Sequence, residues 1–196
     1  VAGLFETLVQ VRTIHHAADV PALFIQLARI ARPGGRYILE FANKHHLKSI
    51  MRYWVGRQQW SPFQLAPVEF VDLNYDFHPR WIRQELTRAQ FSPGRTLTVS
   101  HYRLPLIKKI APVSLLVKMD SVAQFSGDWW QLTPSVFMSS ETPVGGSPAE
   151  PGAFFACPEC GSTLDETTGD FLQCNESGCG RRWRLQEGLY DFKEAL

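Results

Sequence analysis

The chain has 196 residues, which suits one domain of ordinary size and a smaller module. A composition of 44% apolar and 20% charged residues is typical of globular proteins, and no apolar run reaches the roughly 18 residues that a membrane span needs. The net charge of +1 is unevenly spread: residues 1–152 carry 16 Lys and Arg against 11 Asp and Glu, and residues 153–196 carry 4 against 8. No secretory leader follows Val1, so we expect a cytoplasmic protein, and a start without Met also fits a fragment or a processed chain.

The first elements follow the order strand, helix, turn, strand. Phe5–Arg12 is short, apolar and β-branched, which predicts a buried strand. Asp19 is the predicted N-cap of a helix with an apolar stripe, and Pro33–Gly35 is expected to end that helix. Arg36–Ala42 is the predicted second strand. This order is typical of half of a nucleotide-type α/β domain.

The pattern of the middle of the chain predicts a helix over Lys44–Arg57 and an irregular to extended segment over Trp60–Pro79. A helix from Pro79 to about Gln90 and a strand over Arg95–Arg103 are predicted to follow. Five apolar residues are predicted to share one face of the first helix: Leu47, Ile50, Met51, Trp54 and Val55. Three basic residues are expected to lie on a solvated face, with phosphate contact as the alternative: Lys44, Lys48 and Arg52.

The last third of the chain predicts short helices around Pro112 and a final strand over Trp130–Met138. Pro134 should confine the pairing of that strand to a bulge or a sheet edge. Residues 139–152 hold three Pro, three Gly and three Ser, which predicts a flexible linker. We therefore expect three regions: 1–138, the linker 139–152, and a small module over 153–196.

All four cysteines lie in that module, as Cys157-x2-Cys160, thirteen intervening residues, and Cys174-x4-Cys179. Two cysteine pairs on two turns predict a tetrahedral thiolate site for structural zinc, with disulfides or iron as alternatives. Gly161 and Gly180 directly follow the second cysteine of each pair, where a tight turn favours a residue that tolerates positive φ. About forty residues would need the metal to fold.

The segment "FETLVQVRTIHHAADVPALFIQLARIARPGGRYILEF" resembles the second half of the class I S-adenosylmethionine-dependent methyltransferases. In that family a helix closes with R-x-L-x-P-G-G and a strand follows. "WIRQELTRAQFSPGRTLTVS" is similar to the family's later helix and strand, with Gln90 in place of the usual Gly. The resemblance covers about Phe5–Met138. It implies an α/β fold: the C-terminal part of a Rossmann-like methyltransferase sheet, followed by the zinc module.

The resemblance also implies that the chain supplies only strands four to seven of a seven-stranded sheet. The family's Gly-rich cofactor loop and its ribose-binding acidic residue would lie upstream, and no G-x-G-x-x-G occurs in this sequence. We therefore expect an N-terminal half or a partner polypeptide to complete the fold, because an unfinished sheet exposes an edge.

Ligands of open α/β sheets lie beyond the carboxyl ends of the strands. By the family pattern, S-adenosylmethionine would contact three residues, mostly through their backbone: Arg12, Thr13 and Ile14. The expected acceptor-facing residues follow the second strand and lie in the irregular segment, with one after the first strand: His16, Asn43, His45, Asn74 and His78. His16 could instead cap or pack against the following helix, and His45 could belong to a solvated helix start. Methyl transfer demands mainly orientation, so the sequence identifies no catalytic residue.

The tail "WRLQEGLYDF" resembles the strand-turn-strand of small zinc-ribbon proteins, some of which serve methyltransferases as activator subunits. Similar ribbons contact RNA in certain rRNA methyltransferases, and Arg181, Arg182 and Arg184 could do so here. The resemblance implies methyl transfer to an unidentified acceptor, with Zn2+ in a structural role. The alternative is a non-enzymatic adaptor whose ribbon docks a partner protein or RNA.

Overall fold

A computed structural model describes residues 3–102, 111–147, 154–166 and 170–196. The predicted strand end at Arg103 and the later part of the predicted linker lie outside these residues. In chain order, the elements before the linker are β1 Phe5–Gln10, α1 Val20–Ile30, β2 Ala31–Ala42, α2 Leu47–Trp54, β3 Val68–Val71, β4 Asn74–Asp76, α3 Pro79–Arg88, β5 Ser92–Val99, α4 Val113–Ala123 and β6 Ser135–Thr142.

Four of these strands form one mixed sheet in the order β1-β2-β6-β5. β1 and β2 are parallel and are joined through α1, whereas β6 runs antiparallel to both β2 and β5. β1, β2 and β5 therefore point in the same direction, and their carboxyl ends share one edge of the sheet. The predicted α/β class is confirmed.

α1 begins as predicted, because the Asp19 carboxylate accepts the Ala22 N–H at 2.9 Å. It ends at Ile30, before Pro33–Gly35, and Ala31 is already extended at φ −73° and ψ 141°. A proline disfavours helical geometry in the residue that precedes it, so the chain leaves the helix ahead of Pro33. The Pro-Gly-Gly stretch thus opens β2 and does not cap α1.

The last strand differs from its prediction in both position and pairing. β6 lies between β2 and β5 in the sheet interior, where an edge or a bulge was expected. Pro134 directly precedes the strand, so its missing N–H interrupts no pair of the ladder. Residues 139–142, which the sequence assigned to the linker, belong to β6, and the Thr142 hydroxyl donates to the carbonyls of Arg32 and Gly35.

The segment that was predicted to be irregular contains an antiparallel hairpin of β3 and β4. Its strands are only four and three residues long, and Leu73 takes a positive φ of 49° at the turn. Strands this short give no usable period-2 pattern in the sequence.

A hydrophobic core fills the space between the sheet and helices α1 and α3. Its largest fully buried members come from both helices, the central strands and the loops beside them: Ile14, Phe24, Tyr37, Leu39, Phe41, Phe77, Ile82, Leu86 and Met138. α2 contributes less than predicted, because only Ile50 of its five apolar residues is buried. Among the described residues, we find no helix with the length and apolarity that crossing a membrane requires.

The cysteine-bearing region forms a separate antiparallel sheet in the order β10-β9-β8-β7. Its strands are β7 Leu164–Glu166, β8 Phe171–Cys174, β9 Arg182–Gln186 and β10 Leu189–Asp191. A small core of buried residues lies between them: Cys157, Leu164, Leu172, Cys174 and Trp183.

Candidate functional site

The loop that follows β1 is fixed by a carboxylate on β2. The backbone N–H of Arg12 donates to Glu40 Oε2 at 2.9 Å, and the Ser135 hydroxyl donates to the other oxygen of Glu40. Arg12 takes a positive φ of 56°, so the chain turns sharply where β1 ends. Because β1 and β2 are parallel neighbours, this turn lies at the same sheet edge as the loop after β2.

The three predicted cofactor residues differ in what they expose. Arg12 and Thr13 are exposed, whereas the Ile14 side chain is fully buried in the core. Ile14 begins a 3-10 turn that ends at His16. A ligand at this edge could therefore reach Ile14 only through its backbone.

The β3–β4 hairpin and its flanks contact the loops that follow β1 and β2, where the other predicted site residues lie. His16 Nδ1 donates to the carbonyl of Leu73, the neighbour of Asn74, at 2.9 Å. Just after the hairpin, the ring centroid of His78 lies 4.9 Å from that of His45. Backbone hydrogen bonds between Phe77 and the end of β2 complete the junction. Residues far apart in the sequence thus share one edge of the sheet.

Asn43 is buried and holds this edge together. Its side-chain amide donates to the carbonyls of Gln131 and Thr133, both at 2.8 Å, and its Oδ1 accepts the His45 N–H at 2.8 Å. Both amide hydrogens are thereby used within the protein. Asn43 acts here as a structural residue and has no free N–H for a substrate.

His78 is nearly buried at 6% exposure and is the N-cap of α3. Its Nδ1 accepts the backbone N–H of Arg80 at 3.1 Å, so the neutral ring carries its proton on Nε2. Burial, together with the nearby charges of His45, Lys44 and Arg80, lowers the pKa of His78 to about 4. The imidazole is therefore neutral near pH 7.

His45 lies against His78 and packs edge-to-face with Phe63, with the two ring centroids 5.5 Å apart. Burial and the positive charge of Arg80 lower its pKa as well. A neutral imidazole can accept a proton or a hydrogen bond. The two histidines therefore form a pair of neutral imidazoles at the carboxyl edge of the sheet.

Lys44 was predicted to be solvated, and this prediction is wrong: its side chain is fully buried. Nζ donates to the Ala66 carbonyl at 2.5 Å and lies 5.9 Å from the centroid of the Trp60 ring. Burial lowers the pKa of Lys44, and the charge of Asp76 opposes that effect. Lys44 does not share a helix face with Lys48 and Arg52, because α2 begins at Leu47 and Lys44 lies in the loop after β2. Exposure of the other two basic residues, Lys48 and Arg52, is confirmed.

The four cysteines form a second site. Their sulfurs all lie within 4.8 Å of one another, and the closest pairs are Cys160–Cys174 at 3.4 Å and Cys157–Cys179 at 3.8 Å. Zn–S bonds of about 2.3 Å in a tetrahedron place sulfurs about 3.8 Å apart. The cysteines are free thiols in this structure, and their arrangement fits a single metal ion.

The backbone around the cysteines also fits a metal–thiolate site. Gly161 and Gly180 have φ values of +77° and +55°, which confirms the predicted left-handed turns. Each sulfur interacts with at least one backbone N–H, from Glu159 and Cys160 at Cys157, Ser162 at Cys160, Glu176 at Cys174, and Arg181 at Cys179. Such donors stabilise the deprotonated sulfur that binds metal.

Neither a family model nor a curated protein matches the chain. Among solved structures, an S-adenosylmethionine-dependent methyltransferase from Mesorhizobium loti is 14% identical with a TM-score of 0.44, and the alignment covers 72% of this chain and 63% of that one. An S-adenosylmethionine-dependent methyltransferase from Thermotoga maritima is 16% identical with a TM-score of 0.43, covering 72% and 57%.

A third similar structure comes from the Haloferax volcanii complex between a methyltransferase activator and a methyltransferase. It is 10% identical with a TM-score of 0.42, and the alignment covers 72% of this chain and 56% of that one. This chain spans less than two thirds of the length of these structures.

Proposed function

We propose that this chain is the C-terminal part of a class I S-adenosylmethionine-dependent methyltransferase. The observation that carries the proposal is the β1–α1–β2 unit, in which two parallel strands present Arg12–Ile14 and Asn43–His46 at one sheet edge. Ligands of open α/β sheets bind at that edge. The order of the later elements agrees with the family resemblance.

Further polypeptide would complete the domain. In the described part of the chain, β1 pairs with β2 alone, so its other side is an open edge. Phe5 and Val9 on this strand are 38% and 63% exposed, and Val11 just after it is 42% exposed. Open apolar edges promote aggregation, and proteins normally cover them. Strands from an N-terminal half or a partner chain would pair here and supply the Gly-rich cofactor loop that this sequence lacks.

The proposed roles follow the geometry of the edge. Backbone groups of Arg12, Thr13 and Ile14 would contact the cofactor, and His16, His45, Asn74 and His78 would face the acceptor. S-adenosylmethionine supplies an activated methyl group, so orientation provides most of the rate. Where the acceptor must lose a proton, the neutral His45 ring can take it.

The carboxylate of Glu40 provides the test, because it holds the Arg12 turn. In the completed domain, Glu40→Ala should weaken S-adenosylmethionine binding roughly tenfold, the effect of losing about 1.4 kcal/mol. Glu6→Ala is the matched control, since Glu6 forms an exposed ion pair with Arg32 and such pairs contribute little. Calorimetric titration measures both variants. Equal affinities of Glu40→Ala and wild type for S-adenosylmethionine would show that the loop after β1 does not contact the cofactor.

For the C-terminal region we propose a zinc ribbon with one structural Zn2+ held by Cys157, Cys160, Cys174 and Cys179. The donor set and the sulfur spacing support it. Four thiolates complete a tetrahedral shell and leave no open position for a substrate, so the metal would serve folding.

We propose that this ribbon docks a protein partner or positions the substrate. Two of the three arginines that could contact RNA are engaged within the ribbon: Arg181 lies 3.9 Å from a Glu159 carboxylate oxygen, and Arg182 lies over the Phe171 ring at 5.1 Å. The acidic balance of residues 153–196 also opposes binding to phosphates. RNA contact is therefore the less favoured role.

A further inference from the structure

Trp183 is buried at the centre of the ribbon. It lies on β9, pairs with Leu172 on the neighbouring β8, and is 3% exposed. The Phe192 ring covers it, with the two ring centroids 5.9 Å apart. These contacts leave the indole little freedom to turn.

The polar atom of this side chain has an unusual environment. Nε1–H has no hydrogen-bond partner among the described residues, although it is fully buried. A buried donor without a partner is costly, so such groups normally have one. The sulfur of Cys157, itself only 2% exposed, lies in the same buried cluster, within reach of the indole.

We infer that Trp183 is a positioning residue for the metal site, where its indole N–H donates to the Cys157 thiolate and holds that ligand in place. This inference rests on the proposed zinc site. Zn2+ with four thiolates carries a net charge of −2, and two of the sulfurs belong to buried residues. Donors around the ligands offset that charge and fix the ligand orientation. A metal-bound thiolate is also a better acceptor than a neutral thiol, which gives the buried N–H its partner.

A direct test uses the full wild-type chain with 113Cd2+ in place of zinc. Coupling across an N–H···S–Cd hydrogen bond should give a cross-peak between 113Cd and the indole proton of Trp183. A cadmium-bound protein without that cross-peak would overturn the inference. This measurement needs no variant, so it does not depend on how a substitution folds.

The second test is zinc affinity, measured by chelator competition. Trp183→Phe keeps an aromatic ring and removes the N–H, and it should weaken zinc binding about tenfold or more, as losses of such outer-shell partners do. Phe192→Leu disturbs the same cluster without removing a donor, and Trp130→Phe changes an exposed tryptophan; both should stay within about twofold of wild type.

The outcomes separate the two proposals. Wild type should hold about one zinc per chain, and Cys157→Ser should lose it. If wild type bound no zinc, the proposed zinc site and this inference would both fail. If wild type bound zinc and Trp183→Phe bound it equally well, only the role of Trp183 would be wrong.

Discussion

At the start of α3, a histidine occupies a position that Ser, Thr, Asp or Asn usually takes. His78 Nδ1 accepts the Arg80 N–H, a bond that only the unprotonated nitrogen can make. Capping and charge are therefore linked at this residue: protonation of the ring would remove the cap. The low pKa of His78 is the consequence of burial and of its positive neighbours.

His78 predicts a specific pH dependence of stability. Its pKa is about 4 in the folded chain and about 6.5 in the unfolded chain, so the unfolded state binds more protons between these values. The contribution of His78 to the free energy of unfolding is thus fully present above about pH 6.5 and is lost as the pH falls towards 4. His78→Asn keeps a capping side chain and should reduce this loss, whereas His78→Ala should cost about 1 kcal/mol even at pH 7. Urea unfolding at pH 7 and pH 5 measures both effects. The same pH dependence in wild type and His78→Asn would contradict the assignment.

At the scale of elements, one buried lysine connects two segments. Lys44 in the loop after β2 donates to Ala66, in the stretch between α2 and β3. Gln58 adds a hydrogen bond to Ser49 on α2, and Phe63 packs against His45. The stretch from Gln58 to Ala66 is thereby held over the histidine pair.

Lys44→Ala should release this stretch. Loss of a charged hydrogen bond at a fully buried site should cost about 1.5–3 kcal/mol, since the Ala66 carbonyl loses its partner. Hydrogen exchange should become faster for amides between Trp60 and Ala66. Lys48→Ala is the matched control, because Lys48 is exposed on α2 and should change neither stability nor exchange. Unchanged protection in Lys44→Ala would show that other contacts hold the stretch.

The elements also show what the sequence could and could not predict. α1, β2 and α3 were recognised because their apolar spacing and their caps are local signals. β1 is a strand as predicted, but its predicted burial is wrong, since its six residues are exposed or half-buried. The interior position of β6 was missed, since Pro134 was assumed to lie inside the strand when it precedes it. The predicted exposure of Lys44 is wrong because the helical spacing of the three basic residues begins before α2, which starts only at Leu47. The pairing of His45 with His78 depends on how the hairpin folds back, which no local pattern encodes.

At the scale of the molecule, the two sites differ in how complete they are within this chain. The proposed metal site has its four cysteines and its turn glycines within one short segment, so its composition could be predicted from spacing alone. The sheet edge holds the histidines that we propose to face the acceptor, and the proposed glycine-rich cofactor loop would come from further polypeptide. The open side of β1, with Val9 63% exposed, is where the proposed additional strands would pair.

Completion of the sheet is the central claim, and titration with S-adenosylmethionine tests it most directly. The chain alone, residues 1–196, should self-associate and show no saturable binding. The same chain joined to, or copurified with, a polypeptide that supplies a strand and a Gly-rich loop should bind S-adenosylmethionine at one site. A chain that is monomeric on its own, unfolds cooperatively and binds S-adenosylmethionine would contradict the claim.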